Sequence, residues 1–234
     1  LQVYMSNGSE WLLAGGRIDP EAGTIEVTLG EGICWWLTEF VFRFSDTGGH
    51  WAEDDIYLMA ARRIAQGYPD GSFCPDGSVL RSEVLAFIDR VLAYIGFAGD
   101  SAGGDTGDTW GFSDVSPDDW FAAYLDDVVN TGLMVGFPDG TFRPGDPVTR
   151  EQVSLIITRL LELMGAELPD VSDHDVLGSY SDYDKVGEWA RVSMAQAVLT
   201  GLIKGYNNQL RPKDPITRAE LITIIRRVLD YVYM

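Results

Sequence analysis

Arg81, Arg150 and Arg218 recur at spacings of 69 and 68 residues, each at the head of an apolar-periodic stretch. A guanidinium presents a planar fork of N–H donors that fits a carboxylate or phosphate. At the first position of a helix it would lie beside backbone N–H groups that the helix leaves unsatisfied, and together these make an anion site. The position also faces the positive end of the helix dipole, which is mildly unfavourable for a cation. An arginine placed there three times points to a demand for its donors, met either by an anionic ligand or by one of the chain's many carboxylates.

Other residues recur in step with these arginines. Seven residues ahead of Arg150 and Arg218 stand Arg143 and Arg211, with Cys74 in the first copy. The loops before them read Gly67-Tyr68-Pro69-Asp70-Gly71, Gly136-Phe137-Pro138-Asp139-Gly140 and, shortened, Gly205-Tyr206-Asn207-Asn208-Gln209. Glycine allows close backbone approach, proline stiffens a turn and aspartate folds onto local N–H groups, so turn chemistry accounts for much of each loop. Trp51, Trp120 and Trp189, 69 residues apart, read as core anchors or as platforms for stacking.

The elements positioning these residues follow from periodicity. Each unit opens with an aromatic-Ser-Asp triplet (Phe44-Ser45-Asp46, Phe112-Ser113-Asp114, Tyr180-Ser181-Asp182), whose Asp is suited to cap or turn the chain. A first helix starts near each Trp, with apolar faces Ile56/Met59/Ala60/Ile64, Leu125/Val128/Val129/Leu133 and Met194/Ala197/Val198/Leu202. A second helix starts at each arginine, its stripe running from Val84 to Ile95, Val153 to Met164 and Leu221 to Val232. Thr149 with Gln152, and Thr217 with Glu220, form capping boxes, whereas Leu80 breaks the pattern in the first copy. Arg90, Arg159 and Arg227 flank the stripes and are expected to pair with acids. Six helices in three helix–loop–helix units result, with linkers at 98–110 and 166–178 read as solvated loops.

Residues 1–42 differ, with strand-like runs at 10–14, 24–29 and 33–42 and a turn between the first two. They read as a β-hairpin segment closing an upstream domain. The first residue, Leu1, is not a Met, and no signal region follows it, which suggests a piece of a longer polypeptide.

With 36 acidic against 17 basic residues and a net charge of −19, the chain repels phosphate backbones, so no nucleic-acid partner is expected. No apolar run is long enough to insert in a membrane. Cys34 and Cys74 have no metal-ligand spacing, and their pairing stays open. The linker aspartates do not match a calcium loop. His50 and His174 are unrelated by the repeat and no nucleophile–base pair recurs, so neither catalysis, a metal nor a cofactor is expected.

Phe-Ser-Asp, then His50-Trp51-Ala52, then Gly-Tyr-Pro-Asp-Gly-Ser-Phe, then Thr-Arg-Ala-Glu resembles the S-layer homology (SLH) domain. Three tandem units, at 43–97, 111–165 and 179–234, are that family's usual arrangement. The resemblance implies a mainly α fold, a pseudo-threefold assembly around a central helix bundle. It implies non-covalent anchoring of an exported protein to a bacterial cell wall, mostly of Gram-positive type, and residues 1–42, as the closing strands of an upstream β domain, place the cargo N-terminal to residue 1. The implied ligand is a secondary cell-wall polysaccharide ending in pyruvylated N-acetylmannosamine, received in grooves between repeats, with the repeated arginine on the pyruvate carboxylate. Carried over by position, the glycan residues are Arg81, Arg150, Arg218, Trp51, Trp120, Trp189, Gly67, Tyr68, Asp70, Gly136, Phe137, Asp139, Gly205 and Tyr206, with Arg143 and Arg211 beside them. Copy by copy, the second unit is intact, the third lacks Pro-Asp-Gly, and the first lacks its cap and second arginine. The sites of Arg150 and Arg218 are therefore expected to bind, and that of Arg81 to be weak. The alternative is an assembly module whose glycan sites have decayed and whose partners are proteins.

Overall fold

The structure, a computed structural model, describes residues 43–97 and 111–233 in full and, ahead of them, the backbone of five strands. The chain forms two compact units, 1–43 and 44–234. In the first, β1 (Gln2–Ser6) pairs antiparallel with both β2 (Trp11–Leu13) and β5 (Cys34–Thr38). β3 (Arg17–Asp19) and β4 (Thr24–Glu26) form a separate two-stranded hairpin. β1 and β3 were not expected from the pattern; β3 carries a single apolar residue, Ile18, too little for alternation to show.

The second unit is helical. It contains α1 (Glu53–Ala61), α2 (Arg81–Tyr94), α3 (Leu125–Asn130), α4 (Arg150–Leu163), α5 (Asp173–Leu177), α6 (Arg191–Leu199) and α7 (Arg218–Tyr233). Six of these are the expected pairs. α5 lies within the stretch read as a solvated linker: Leu177 is fully buried, Leu168, Val171 and Val176 pack beside it on the core, and α5 packs on α6, so a few scattered apolar residues among acids dock this segment. The long helices α2, α4 and α7 are the central, most buried elements, and α4 packs on α7.

Both capping boxes form. Thr149 Oγ1 accepts from the Gln152 N–H at 3.4 Å, and Gln152 Oε1 accepts from the Thr149 N–H at 2.9 Å. Thr217 and Glu220 do the same at 3.1 and 3.0 Å. In the first copy only the return arm survives, Glu83 accepting from the Leu80 N–H at 2.9 Å. The hydroxyl that Leu80 lacks is the missing half.

The units join in a ring. The second helix of each repeat packs on the first helix of the next: α2 on α3, α4 on α6, and α7 back on α1. Three buried residues close the same cycle by backbone alone. Val79 N–H donates to Ile216 C=O (3.0 Å), Ile216 N–H to Val148 C=O (2.9 Å), and Val148 N–H to Val79 C=O (3.0 Å). Around this triangle the core is continuous.

Candidate functional site: the grooves between repeats

Each loop is first an internally satisfied structure. A Cβ on Gly67, Gly136 or Gly205 would meet the ring of Phe44, Phe112 or Tyr180 at 2.6, 2.1 or 2.4 Å. These glycines are required by the aromatic of the opening triplet, without reference to a ligand. The triplet's Asp does not cap a helix. Asp46 accepts from the N–H groups of Phe73 and Cys74, Asp114 from those of Phe142 and Arg143, and Asp182 from those of Leu210 and Arg211, all at 2.7–2.8 Å. The carboxylate thus clamps the far end of the loop. The second residue of each clamped pair, Cys74, Arg143 or Arg211, takes a left-handed φ of 54, 57 or 55°.

Within the turns, Asp70 accepts from Ser72 N–H and Oγ, at 2.9 and 2.7 Å. Asp139 accepts from Thr141 N–H and Oγ1, at 3.1 and 2.6 Å, and from Arg143 Nη2 at 2.7 Å. The Thr141 hydroxyl first, and Arg143 second, hold the Asp139 carboxyl down at about 2. Asp70 is also lowered, by Ser72, and has no arginine to help. Arg143 lies over the Phe137 ring, 4.0 Å from its centroid, and Arg211 pairs with Asp214 at 2.8 Å.

The helix N-termini behave differently from the sequence expectation. Their N–H groups are not free for an anion, because the neighbouring loop fills them. Arg81 and Ser82 N–H donate to Asp146 and Pro144 C=O, Arg150 and Glu151 N–H to Asp214 and Pro212 C=O, and Arg218 and Ala219 N–H to Gly77 and Pro75 C=O. What remains available is the guanidinium itself.

Each guanidinium crosses into the loop of the next repeat. Arg81 donates from Nε to Phe142 C=O (2.8 Å) and from Nη2 to Val135 C=O (3.0 Å). Arg150 donates in the same way to Leu210 and Lys204 C=O, both at 2.9 Å, and Arg218 to Phe73 C=O (2.7 Å) and Gln66 C=O (3.0 Å). All three are buried. Burial pushes the Arg81 and Arg150 guanidinium values down, against the upward pull of Asp146 on the first and Glu220 on the second.

The third arm separates the copies. Arg150 Nη1 holds Glu220 at 2.9 Å, and Arg218 Nη1 holds Glu83 at 2.7 Å. Glu83 also accepts from Tyr68 Oη at 2.6 Å; burial first, and this bond second, raise the Tyr68 phenol to about 12. Arg81 has no ion pair among the described residues. Aromatic faces line two of the three: Phe137 and Phe142 beside Arg81, and Tyr68, Phe73 and Phe87 beside Arg218.

The tryptophans are not core anchors. Trp51, Trp120 and Trp189 are 64, 59 and 54% exposed at symmetry-related places, far above what packing explains. Their turn is tied to the preceding repeat in one copy directly: Gly187 N–H donates to Glu151, the buried second residue of α4, at 3.0 Å. Arg90, Arg159 and Arg227 do not pair with acids among the described residues. Arg159 and Arg227 satisfy the C=O groups of Gly132 and Leu202 at 2.9 Å, and Arg90 lies beside Phe87 and Tyr124. Backbone carbonyls of the turns just past α3 and α6 take these donors in place of carboxylates. Cys74 is exposed and free; the Cys34 side chain falls outside the described residues.

Three inter-repeat contacts therefore share one plan: an arginine from one repeat is held by the loop of the next, and the first helix of that next repeat starts at an exposed tryptophan. The expected residues Arg81 and Phe137 come together, as do Arg218 and Tyr68, but across repeats rather than within them. Sequence reasoning allows an internal carboxylate opposite each arginine but does not single out Glu83, and reads Glu220 only as a cap; these are the acids that oppose Arg218 and Arg150.

The sequence profile of the S-layer homology domain matches residues 43–85, 111–154 and 179–222. Each match takes in one opening triplet, one tryptophan and one of the three arginines. This chain belongs to the S-layer homology family. Among S-layer homology proteins it is 30% identical, over 97% of its length, to an amylopullulanase of Thermoanaerobacterium thermosulfurigenes, of which it spans 12%. It is 32% identical, over 70% of its length, to a cellulosome-anchoring protein of Acetivibrio thermocellus, spanning 35% of that protein. A surface-layer 125 kDa protein of Lysinibacillus sphaericus is 25% identical over 81% of this chain and is spanned to 15%. The S-layer homology unit is thus a small part of larger proteins, and the family is one of cell-surface anchoring and binding modules.

Proposed function

We propose that this chain is a wall-anchoring module that holds a larger exported protein on a bacterial surface of Gram-positive type. It does so by binding a secondary cell-wall polysaccharide bearing pyruvylated N-acetylmannosamine in the grooves between repeats, and it has no catalytic role. The observation that carries this reading is that every repeat pairs an exposed tryptophan at the start of its first helix with a loop that holds a buried guanidinium from the neighbouring repeat. A flat aromatic face suits the apolar side of a sugar ring, and a guanidinium with unspent donors suits the ketal carboxylate. The names of the relatives support a surface role: one is a cellulosome-anchoring protein and another a surface-layer protein. The β unit at 1–43 then belongs with cargo placed N-terminally.

Titration calorimetry with the methyl glycoside of pyruvylated N-acetylmannosamine tests it. The pyruvylated sugar is expected to bind and the unpyruvylated one to bind at least tenfold more weakly. Equal binding of both, or of neither, refutes the carboxylate role. Trp120→Ala, which removes an exposed ring, is expected to weaken binding without altering thermal unfolding.

One observation favours a second reading, an assembly module with protein partners. In two of the three grooves the arginine is already paired with a carboxylate of the chain itself. Self-association that persists without glycan, seen by analytical ultracentrifugation, would support it.

A further inference from the structure

The three grooves are built alike, yet their electrostatic states differ, and the cause is a single residue. The third residue of each second helix is Glu83, Gln152 or Glu220. Glu220 divides its carboxylate: one oxygen accepts from the N-cap N–H of Thr217, and the other takes Arg150. Glu83 divides its own between Leu80 N–H and Arg218. Gln152 has one oxygen, already occupied by the Thr149 N–H at 2.9 Å. Its other end is an amide donor, which cannot accept from a guanidinium. By the threefold correspondence Gln152 stands where Arg81 would find its acid.

A guanidinium carries five N–H donors. Arg150 and Arg218 each spend donors on two carbonyls and a carboxylate, whereas Arg81 spends them on two carbonyls only. Arg81 is 6% exposed, so it is a buried cation whose Nη1 has no partner among the described residues. Among the described residues Arg81 has no direct ion pair, only the longer-range pull of Asp146 and Asp114, so a ligand carboxylate at Nη1 would supply the contact that Glu220 and Glu83 supply to the other two arginines.

The loops grade the grooves in the same order. Because each arginine reaches the following repeat, Arg81 works with the intact second loop and its Arg143, and Arg218 works with the first loop, where Cys74 stands in place of an arginine. Both loops carry three aspartates, Asp46, Asp70 and Asp76 in the first and Asp114, Asp139 and Asp146 in the second, so the difference between them is Arg143, which is itself paired with Asp139 at 2.7 Å. Arg150 works with the third loop, beside a pocket of about 280 Å³ lined in part by Lys185, Arg211 and Lys213. There, however, Arg211 and Lys213 are held by Asp214 and Glu151.

From this geometry we infer that the groove between the first and second repeats, built on Arg81, is the tightest carboxylate site of the chain, and that Gln152 is the residue that opens it. This rests on the proposed function, and it inverts the ranking expected when each arginine was matched to its own repeat's loop.

The test is calorimetry with the same pyruvylated glycoside on the whole chain and two variants. Gln152→Glu preserves the cap, since Glu83 and Glu220 make that bond in the other copies, and supplies Arg81 with an internal carboxylate. It is expected to raise the Kd at least tenfold, with unfolding temperature unchanged or higher. Glu220→Gln frees Arg150 and is expected to add a second binding event to the titration. If the chain binds but Gln152→Glu leaves the Kd unaltered while Glu220→Gln adds no site, the role of Gln152 is overturned and the ligand reading stands. If neither the chain nor any variant binds the pyruvylated probe, the ligand reading fails and this inference with it.

Discussion

The groove at Arg218 and the groove at Arg81 are built from matching elements, yet one is sealed and the other open. At Arg218, three aromatic rings, two carbonyls and Glu83 enclose the cation, and Tyr68 adds its hydroxyl to the same carboxylate. At Arg81, the carbonyls and rings are present and the acid is missing. Pseudo-symmetry lets each copy serve as a control for the others. What all three share belongs to the fold, and what one alone departs from is a candidate for selectivity.

Truncating the arginines gives the largest expected contrast. Arg218→Ala strands the nearly buried Glu83 and should cost about 3–5 kcal/mol, the usual penalty for breaking a buried ion pair from one side. Arg81→Ala removes two carbonyl bonds and the contacts with Phe137 and Phe142 but strands no directly paired carboxylate, and should cost about 2 kcal/mol. Urea denaturation measures both; equal losses would show that Glu83 adds nothing to Arg218.

A smaller contrast lies at the helix caps. Thr149→Ala should cost about 1 kcal/mol, because the hydroxyl satisfies an otherwise orphan N–H. Leu80→Thr should gain about 0.5–1 kcal/mol, since Leu80 already has the extended N-cap backbone, with φ −86° and ψ 157°. A loss on Leu80→Thr would show that the leucine side chain matters more than the cap.

The smallest effect is local and pH-dependent. Asp139 titrates at about 2 in the folded chain, below its ordinary value of 3.8. A depressed folded value means that its contribution is present above the unfolded value and fades as pH falls from about 4 through about 2. NMR titration of the carboxyl carbons should place Asp139 lower than Asp70, and Arg143→Ala should narrow the gap. An unchanged gap would remove Arg143 from the account of that turn.

Much of this could be seen in the sequence, and the limits are instructive. The six main helices were legible because Val84–Ile95 and its counterparts repeat one apolar stripe. The capping boxes were legible because Thr149/Gln152 and Thr217/Glu220 act within four residues. The partners of Arg81, Arg150 and Arg218 were not legible. Local reading pairs an arginine with the loop beside it, whereas the ring pairs it with a loop 54–61 residues onward or, for Arg218, 145–152 residues back. The exposure of Trp51, Trp120 and Trp189 was hidden by the general tendency of tryptophan to be buried. The acids at 53–55, just after Trp51, were the available hint of a wet surface.

The backbone triangle of Val79, Val148 and Ile216 has a consequence for how the chain folds. Most tandem repeats stack openly, touch only their neighbours and can be lengthened or nucleated anywhere. Here the last helix returns to cover the first, and Thr223 reaches Asp55 across a separation of 168 residues. The first repeat is therefore left incomplete until the third has been made. Closure is a late, long-range event whose loop entropy must be met before its contacts form, which slows folding relative to an open helical array. The same closure fixes the repeat number at three, because a fourth unit would find no free edge to join.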